Sequence, residues 1–259
     1  MRARPTKHLP FTYGQYAQIL ASALENGYRF ISFSQLRSFA PRDPICCLRH
    51  DCDNDLVAAE AMARLEEEMK VHSTYFLMLR SPMYNPLSLP NSKLIRSIIQ
   101  GGHEIGLHFD EQCYPSTDAA QVADYVDWER ALLSREFGVS VNIVSFHQPS
   151  RRILDNEVKL HCMNTYDRAD MQDLHYVSDT NVAWKPESPI KLFKERSHSR
   201  LQVLIHPEWW TSKEMPVREK WNQMLTNNFE LMQDSLLNRE ATYNHRQKIA
   251  FTALRLRKT

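Results

Sequence analysis

Glycine is scarce in this chain, at six of 259 residues, and no Gly/Ser-rich or low-complexity stretch divides it. No flexible linker therefore separates domains, and the length suits one large α/β domain, taken here as 1–259. No run of eighteen apolar residues exists, so nothing in the sequence is read as a membrane span. Neither sign of charge is in excess: 32 Lys and Arg stand against 31 Asp and Glu, a formal net charge of +1. No bulk field draws such a chain to nucleic acid or a membrane surface. The five cysteines, at 46, 47, 52, 113 and 162, form no C-x-x-C pair and leave an odd one over. That argues against an oxidised scaffold and for a reducing compartment. The first residues, MRARPTKHLPFTYGQY, are basic but lack an apolar core, so no secretory signal is expected and the chain is read as cytoplasmic.

What is present is a rhythm. A helical pattern over Tyr13 to Asn26 ends at Gly27, and the apolar run Ile45-Cys46-Cys47-Leu48 follows as a buried strand. Helices are expected over Asp55 to Met69, with Asn54 as a cap, over Pro90 to Ile99 before Gly101-Gly102, and over Asp118 to Phe137 before Gly138. A last helix is expected over Thr211 to Leu237, with Pro216 early. Strands are expected at Thr74–Leu79, Glu104–His108, Ile143–Phe146 and Leu201–Ile205, with weaker patterns at Leu160–Tyr166 and His175–Ser178. Strands alternating with helices give βαβ units and a mainly parallel sheet. Periodicity alone does not decide between an open sheet and a closed barrel.

In a parallel α/β fold, the loops after the strands' C-terminal ends share one face, and sites form there. The residues that follow the apolar runs are Arg49-His50-Asp51-Cys52-Asp53, His108-Phe109-Asp110-Glu111, His147-Gln148-Pro149, Asp179, and His206-Pro207-Glu208-Trp209-Trp210. Three strand ends each carry a histidine, although only eleven of 259 residues are histidine. Imidazole and carboxylate converging from several rigid strands is what a divalent metal needs. Each residue also has a plainer reading. His50 can bond backbone, Asp51 or Asp53 can cap a helix, and His108 can be a satisfied core histidine. His103 is read as structural, and Trp209-Trp210 as either core or a platform for a sugar ring.

In order, these segments resemble the NodB-homology family, the polysaccharide deacetylases of carbohydrate esterase family 4. The family's first motif, Thr-Phe-Asp-Asp-Gly, supplies a base and a metal ligand, and Arg49-His50-Asp51-Cys52-Asp53 stands in its place. The second motif contains Gly-His-Glu-Ile-Gly-Asn-His; Gly102-His103-Glu104-Ile105-Gly106-Leu107-His108 matches it closely. The last motif is an apolar strand ending in Leu-His, and Val203-Leu204-Ile205-His206 fits. The motif core spans 45–210. The resemblance implies a NodB-like distorted (β/α)7 barrel with helical additions at both ends. It also implies a divalent metal, Zn2+ with Co2+ or Ni2+ as further candidates, and removal of N-acetyl groups from amino sugars. The chain looks like a divergent branch, similar to the deacetylase-like proteins found with bacterial O-antigen or capsule synthesis.

Three departures shape the residue assignments. Strict alignment puts Cys52 where the family's second Asp stands, but in an extended strand Asp51 and Asp53 share a side and Cys52 points away. The metal role therefore goes to Asp53. The family's second metal histidine falls on Gln112. The third motif becomes Phe146-His147-Gln148-Pro149, so His147 replaces the missing ligand, with Asp110 as the competing choice. Asp53, His108 and His147 are thus expected to hold the metal, Asp51 to act as base and His206 as acid, and Trp209, Trp210 and Asp179 to contact an amino-sugar or glycan substrate. The alternatives are a non-catalytic sugar-binding relic of the same fold and a metal amidohydrolase acting on a small amide.

Overall fold

The computed structural model describes residues 11–114 and 118–248. The basic residues Met1 to Pro10, on which the reading of a missing export signal rests in part, lie outside the described residues. The short apolar runs form strands β1 (Arg29–Ile31), β2 (Ile45–Cys52), β3 (Thr74–Leu77), β4 (Glu104–Phe109), β5 (Ile143–Phe146), β6 (Met163–Asn164), β7 (His175–Ser178) and β8 (Arg200–Ile205). Every pairing among them is parallel, in the order β6-β5-β4-β3-β2-β8-β7, with β1 beside the first half of β2. From β2 to β8 the strands follow one another in cyclic order, interrupted at a single seam between β6 and β7. The chain thus forms the expected distorted (β/α)7 barrel, opened along one line.

Strand parity decides what fills it. On β2, Cys46, Leu48 and Cys52 join the apolar layers shared with the helices, while Cys47 joins Ile31, Phe33, Leu36, Ile45, Phe76, Ile143, Met171 and Leu174 in the interior plug. Phe33 and Leu36 belong to the 3-10 segment Phe33–Ser38 after β1, and Met171 and Leu174 come from the stretch just before β7, beside the seam. Above the plug the same inward parity carries Arg49 and Asp51. Gly106 on β4 pairs with Phe76 on β3, and a Cβ there would lie 2.6 Å from the Phe76 ring. The backbone must approach that ring closely, and only glycine permits it.

The helices form much where their patterns place them, with informative differences at the ends. The helix Leu56–Glu68 is capped by Asp55, whose carboxylate accepts from the backbone N–H of Val57 and Ala58; Asn54, the expected cap, instead donates to Glu208 at 2.8 Å. The final helix is Val217–Arg239, because Pro216 sets its start. Thr211, expected within it, lies in a short parallel bridge to Thr12. The strand expected over Leu160–Tyr166 shrinks to the two residues of β6. Strand β1 and the helix Pro189–Glu195 are additions that the sequence patterns did not single out.

One buried carboxylate ties several of these pieces together. Glu66, on the helix Leu56–Glu68, accepts from the Tyr16 hydroxyl, from Ser73 Oγ at 2.5 Å, and faces His50 Nε2 at 2.7 Å. His103 Nδ1 stands 3.0 Å from the same Ser73 hydroxyl, and its Nε2 3.1 Å from the Ala63 carbonyl. His50 and His103 are therefore framework residues, as their plainer readings held. His50 uses a side chain rather than backbone for its partner.

Candidate metal centre

The C-terminal ends of β2, β4 and β5 bring Asp53, His108 and His147 together. One oxygen or nitrogen from each lies within 4.8 Å of the others. His108 Nε2 stands 2.9 Å from Asp53 Oδ1, and His147 Nδ1 3.6 Å from Asp53 Oδ2. His108 is oriented from behind, its Nδ1 3.0 Å from Ser145 Oγ on β5. Asp53 Oδ1 is buried without a hydrogen-bond partner despite the neighbouring ring nitrogen. A carboxylate with one orphaned oxygen, set between two imidazoles of which one is braced from its far side, suits a divalent ion. Burial alone would raise the Asp53 pKa, but His108 and His147 keep it below the ordinary carboxylate value. The bond to Asp53 in turn raises His147.

Asp51 sits beside this cluster, Oδ2 3.8 Å from His108 Nε2. Its carboxylate is gripped by Arg49, two residues back on the same face of β2, through Nε at 2.8 Å and Nη2 at 2.6 Å. Arg49 is wholly buried and also reaches Ser145, Thr165 and Tyr166. Burial would push the Asp51 pKa up; Arg49, with His108 and His206 behind it, holds it down. Arg49 is the residue that sequence reasoning passed over. Its signal was parity: it shares a strand face with Asp51 at a spacing of two.

His206, after β8, has Nδ1 2.6 Å from Asp179 Oδ1, and its backbone N–H donates to the same carboxylate at 3.0–3.1 Å. Burial disfavours charge on His206, but Asp179 outweighs it and lifts the pKa to about 10. Asp179 is fully buried, and its second oxygen accepts from Trp210 Nε1 at 2.9 Å. The expected contact of Asp179 with substrate is corrected accordingly, since its oxygens are taken by His206 and Trp210. Trp210 is corrected too: it is 1% exposed, packed among Phe11, Tyr16 and Trp184, and has no face for a sugar. Trp209 is partly buried, set edge-on to Trp221. Asp110 is not part of the cluster; it accepts from the Gln112 backbone N–H at 2.9 Å, and the exposed Gln112 side chain donates to Gln148 at 3.3 Å.

A parallel barrel opened at one seam, carrying Asp, His and His at the ends of β2, β4 and β5, defines an α/β protein with a candidate metal site. A scan against protein-family models finds no match, and no curated protein matches. Several solved structures are similar at low identity. A family 4 carbohydrate esterase from Bacillus anthracis is 12% identical, over 90% of this chain and 94% of that one, with a TM-score of 0.43. The deacetylase PplD of Streptococcus pyogenes, in complex with acetate, is 14% identical over 87% of this chain and 93% of that one, with a TM-score of 0.45. A CE4 family pseudoenzyme from Bacillus anthracis is 18% identical over 74% of this chain, with a TM-score of 0.42; this chain spans 62% of its length. Among the described residues no helix is long and apolar enough to cross a membrane.

Proposed function

We propose that this chain is a metal-dependent hydrolase that removes the N-acetyl group from an amino sugar or glycan intermediate. The pathway we assign is surface polysaccharide synthesis of the O-antigen or capsule kind, with a cytoplasmic precursor as substrate. The observation that carries this reading is the meeting of Asp53, His108 and His147 beside an arginine-held carboxylate, within the field of a positively charged His206. Asp53, His108 and His147 would hold the ion, with Zn2+ first and Co2+ or Ni2+ next, given one carboxylate and two imidazoles. When bound, such an ion polarises an amide carbonyl and acidifies water.

The chain's own groups supply the rest. Asp51 accepts the proton of the attacking water as the oxygen–carbon bond forms. Arg49 keeps that carboxylate ionised and fixed in direction. His206, protonated at neutral pH and fixed through Nδ1 by Asp179, delivers a proton to the amine as the carbon–nitrogen bond breaks. The products are acetate and a free amino sugar. Acetate release is to be measured over N-acetylated monosaccharides, nucleotide sugars and oligosaccharides, with each ion added in turn. Release that falls by roughly 10²–10⁴ in Asp51→Asn and in His206→Ala supports the assignment. A metal-loaded chain inert across the whole panel sinks it.

A further inference from the structure

Strand β2 ends at Cys52 and the following helix starts at Leu56, so Asp53, Asn54 and Asp55 lie between two regular elements. Three successive carbonyls there each accept from a side chain. The Tyr84 hydroxyl donates to Cys52 at 2.5 Å, Ser81 Oγ to Asp53 at 2.9 Å, and Asn228 Nδ2 to Asn54 at 2.9 Å. The Asn54 side chain donates in turn to Glu208 Oε1 at 2.8 Å, and Asp55 Oδ2 accepts from Asn227 Nδ2 at 2.8 Å. A planar peptide held by its carbonyl resists turning, so these bonds fix the backbone on both sides of the Asp53 Cα.

Ser81 and Tyr84 come from the nearby segment after β3, but Asn227 and Asn228 come from the final helix, Val217–Arg239. They stand at its middle, where asparagine is a poor helix former. Their value there lies in the tertiary contact. Asn228 is buried, as is Met224 one turn before it, so the helix sets this face against the body. Leucine at 228 would fill the same space and suit the helix better, but it would take the donor away from the Asn54 carbonyl. The helix thus supplies no ligand to the cluster of Asp53, His108 and His147, yet it holds the residue that follows Asp53.

Resting on the proposed metal-dependent reading, we propose that Asn228 is a positioning residue for Asp53, which makes the final helix a working part of the metal centre. Groups that orient a metal ligand commonly contribute about 10–100-fold to metal affinity, and we place one that acts through the main chain at the lower end. The test is Zn2+ affinity of the full chain, by competition with a chelator, with the visible absorption of bound Co2+ as a second readout. The variants are Asn228→Leu, which keeps the volume and removes the donor, Asn228→Ala, and Asn26→Ala as a control. Asn26 makes a like bond, to the Ser22 carbonyl at 2.8 Å, at the end of the first helix. Affinity should fall about tenfold in both Asn228 variants and hold in Asn26→Ala. The Co2+ bands should shift in both Asn228 variants, as Asp53 turns against the ion, and stay in place in the control. Unchanged affinity and bands in Asn228→Leu overturn the inference, and so does an equal loss in Asn26→Ala, which would mark a general loss of stability. Should Asn228→Leu not fold, Asn228→Ala decides in the same way. A wild-type chain that binds neither ion overturns the metal reading and this inference together. An intact wild-type titration with unaffected Asn228 variants removes the inference alone.

Discussion

Ser145 touches no expected substrate, yet its hydroxyl stands between His108 Nδ1 and the Arg49–Asp51 pair. Groups that orient a metal-binding imidazole from behind commonly contribute about 10–100-fold to metal affinity. Ser145→Ala should therefore weaken Zn2+ binding by that order in a competition titration with a chromophoric chelator, without altering the far-ultraviolet dichroism. Arg49 is buried opposite one carboxylate, so Arg49→Met should cost about 3–5 kcal/mol in urea denaturation by leaving Asp51 unpaired. Adding Asp51→Leu should recover most of that loss. For His206, the folded pKa is raised to about 10 by Asp179, so the pair stabilises the fold fully below the ordinary histidine value and the contribution is lost as pH rises toward 10. In Asp179→Asn the alkaline limb of kcat/KM should move down toward pH ~6.5. A limb that stays in place would remove His206 from the role of acid. The meeting of Asp53, His108 and His147 was legible in the sequence because each follows an apolar run. Arg49 was passed over, because its one signal, a shared strand face with Asp51, does not say that two side chains on that face will pair. The burial of Trp210 was hidden for a related reason: two adjacent tryptophans read alike until Phe11, Tyr16 and Trp184 close around one of them.

At the level of elements, β3 and β4 show how one residue sets a spacing. Gly106→Ala would drive a methyl into the Phe76 ring and should destabilise the fold by about 1–3 kcal/mol in chemical denaturation. Phe76→Leu in the same chain should relieve part of the strain, and no relief would locate the clash elsewhere. The strands β2, β3, β4, β5, β7 and β8 were readable because each is an apolar or alternating run between turn residues. β1 was not: its three residues, Arg29, Phe30 and Ile31, are too few to show a period, and they are held by the register Arg29↔Ile45 and Ile31↔Cys47. The helix starts shifted for local reasons. Asp55 was available to cap one residue beyond Asn54, and Pro216 displaced the last helix to Val217.

Over the whole molecule, the candidate site draws Asp53, His108 and His147 from the ends of β2, β4 and β5, so an ion held there would join segments far apart in the chain. An ion that binds only the folded chain stabilises it by roughly 2.7 kcal/mol at a hundred times its Kd. For a chain of this size that corresponds to a rise in Tm of about 5–10 °C. Thermal melts with excess Zn2+ and after chelation should differ by that amount, and Asp53→Ala should abolish the difference. A shift that persists in Asp53→Ala would place the ion elsewhere. Alternation of strands and helices disclosed the parallel sheet, but not the seam between β6 and β7. That seam depends on β6 being cut to Met163–Asn164, and a two-residue strand leaves no periodic trace.

The strand β2 is a tape printed on both sides. One side carries Cys47, Arg49 and Asp51 toward the interior; the other carries Leu48, His50 and Cys52 toward the helices, with Glu66 waiting for His50. Its place is pinned along one edge by β8, from Ile45 to His50, and along the other by β1 and β3. A length change of one residue in β2 is therefore far more damaging than a substitution. Deleting Leu48 would turn Asp51 and Asp53 toward the apolar layer and point Cys52 at the reaction, exchanging workbench for wall in a single step. Variation in this stretch is thus confined to replacement in place, and natural insertions or deletions are expected in the loops after the strands instead.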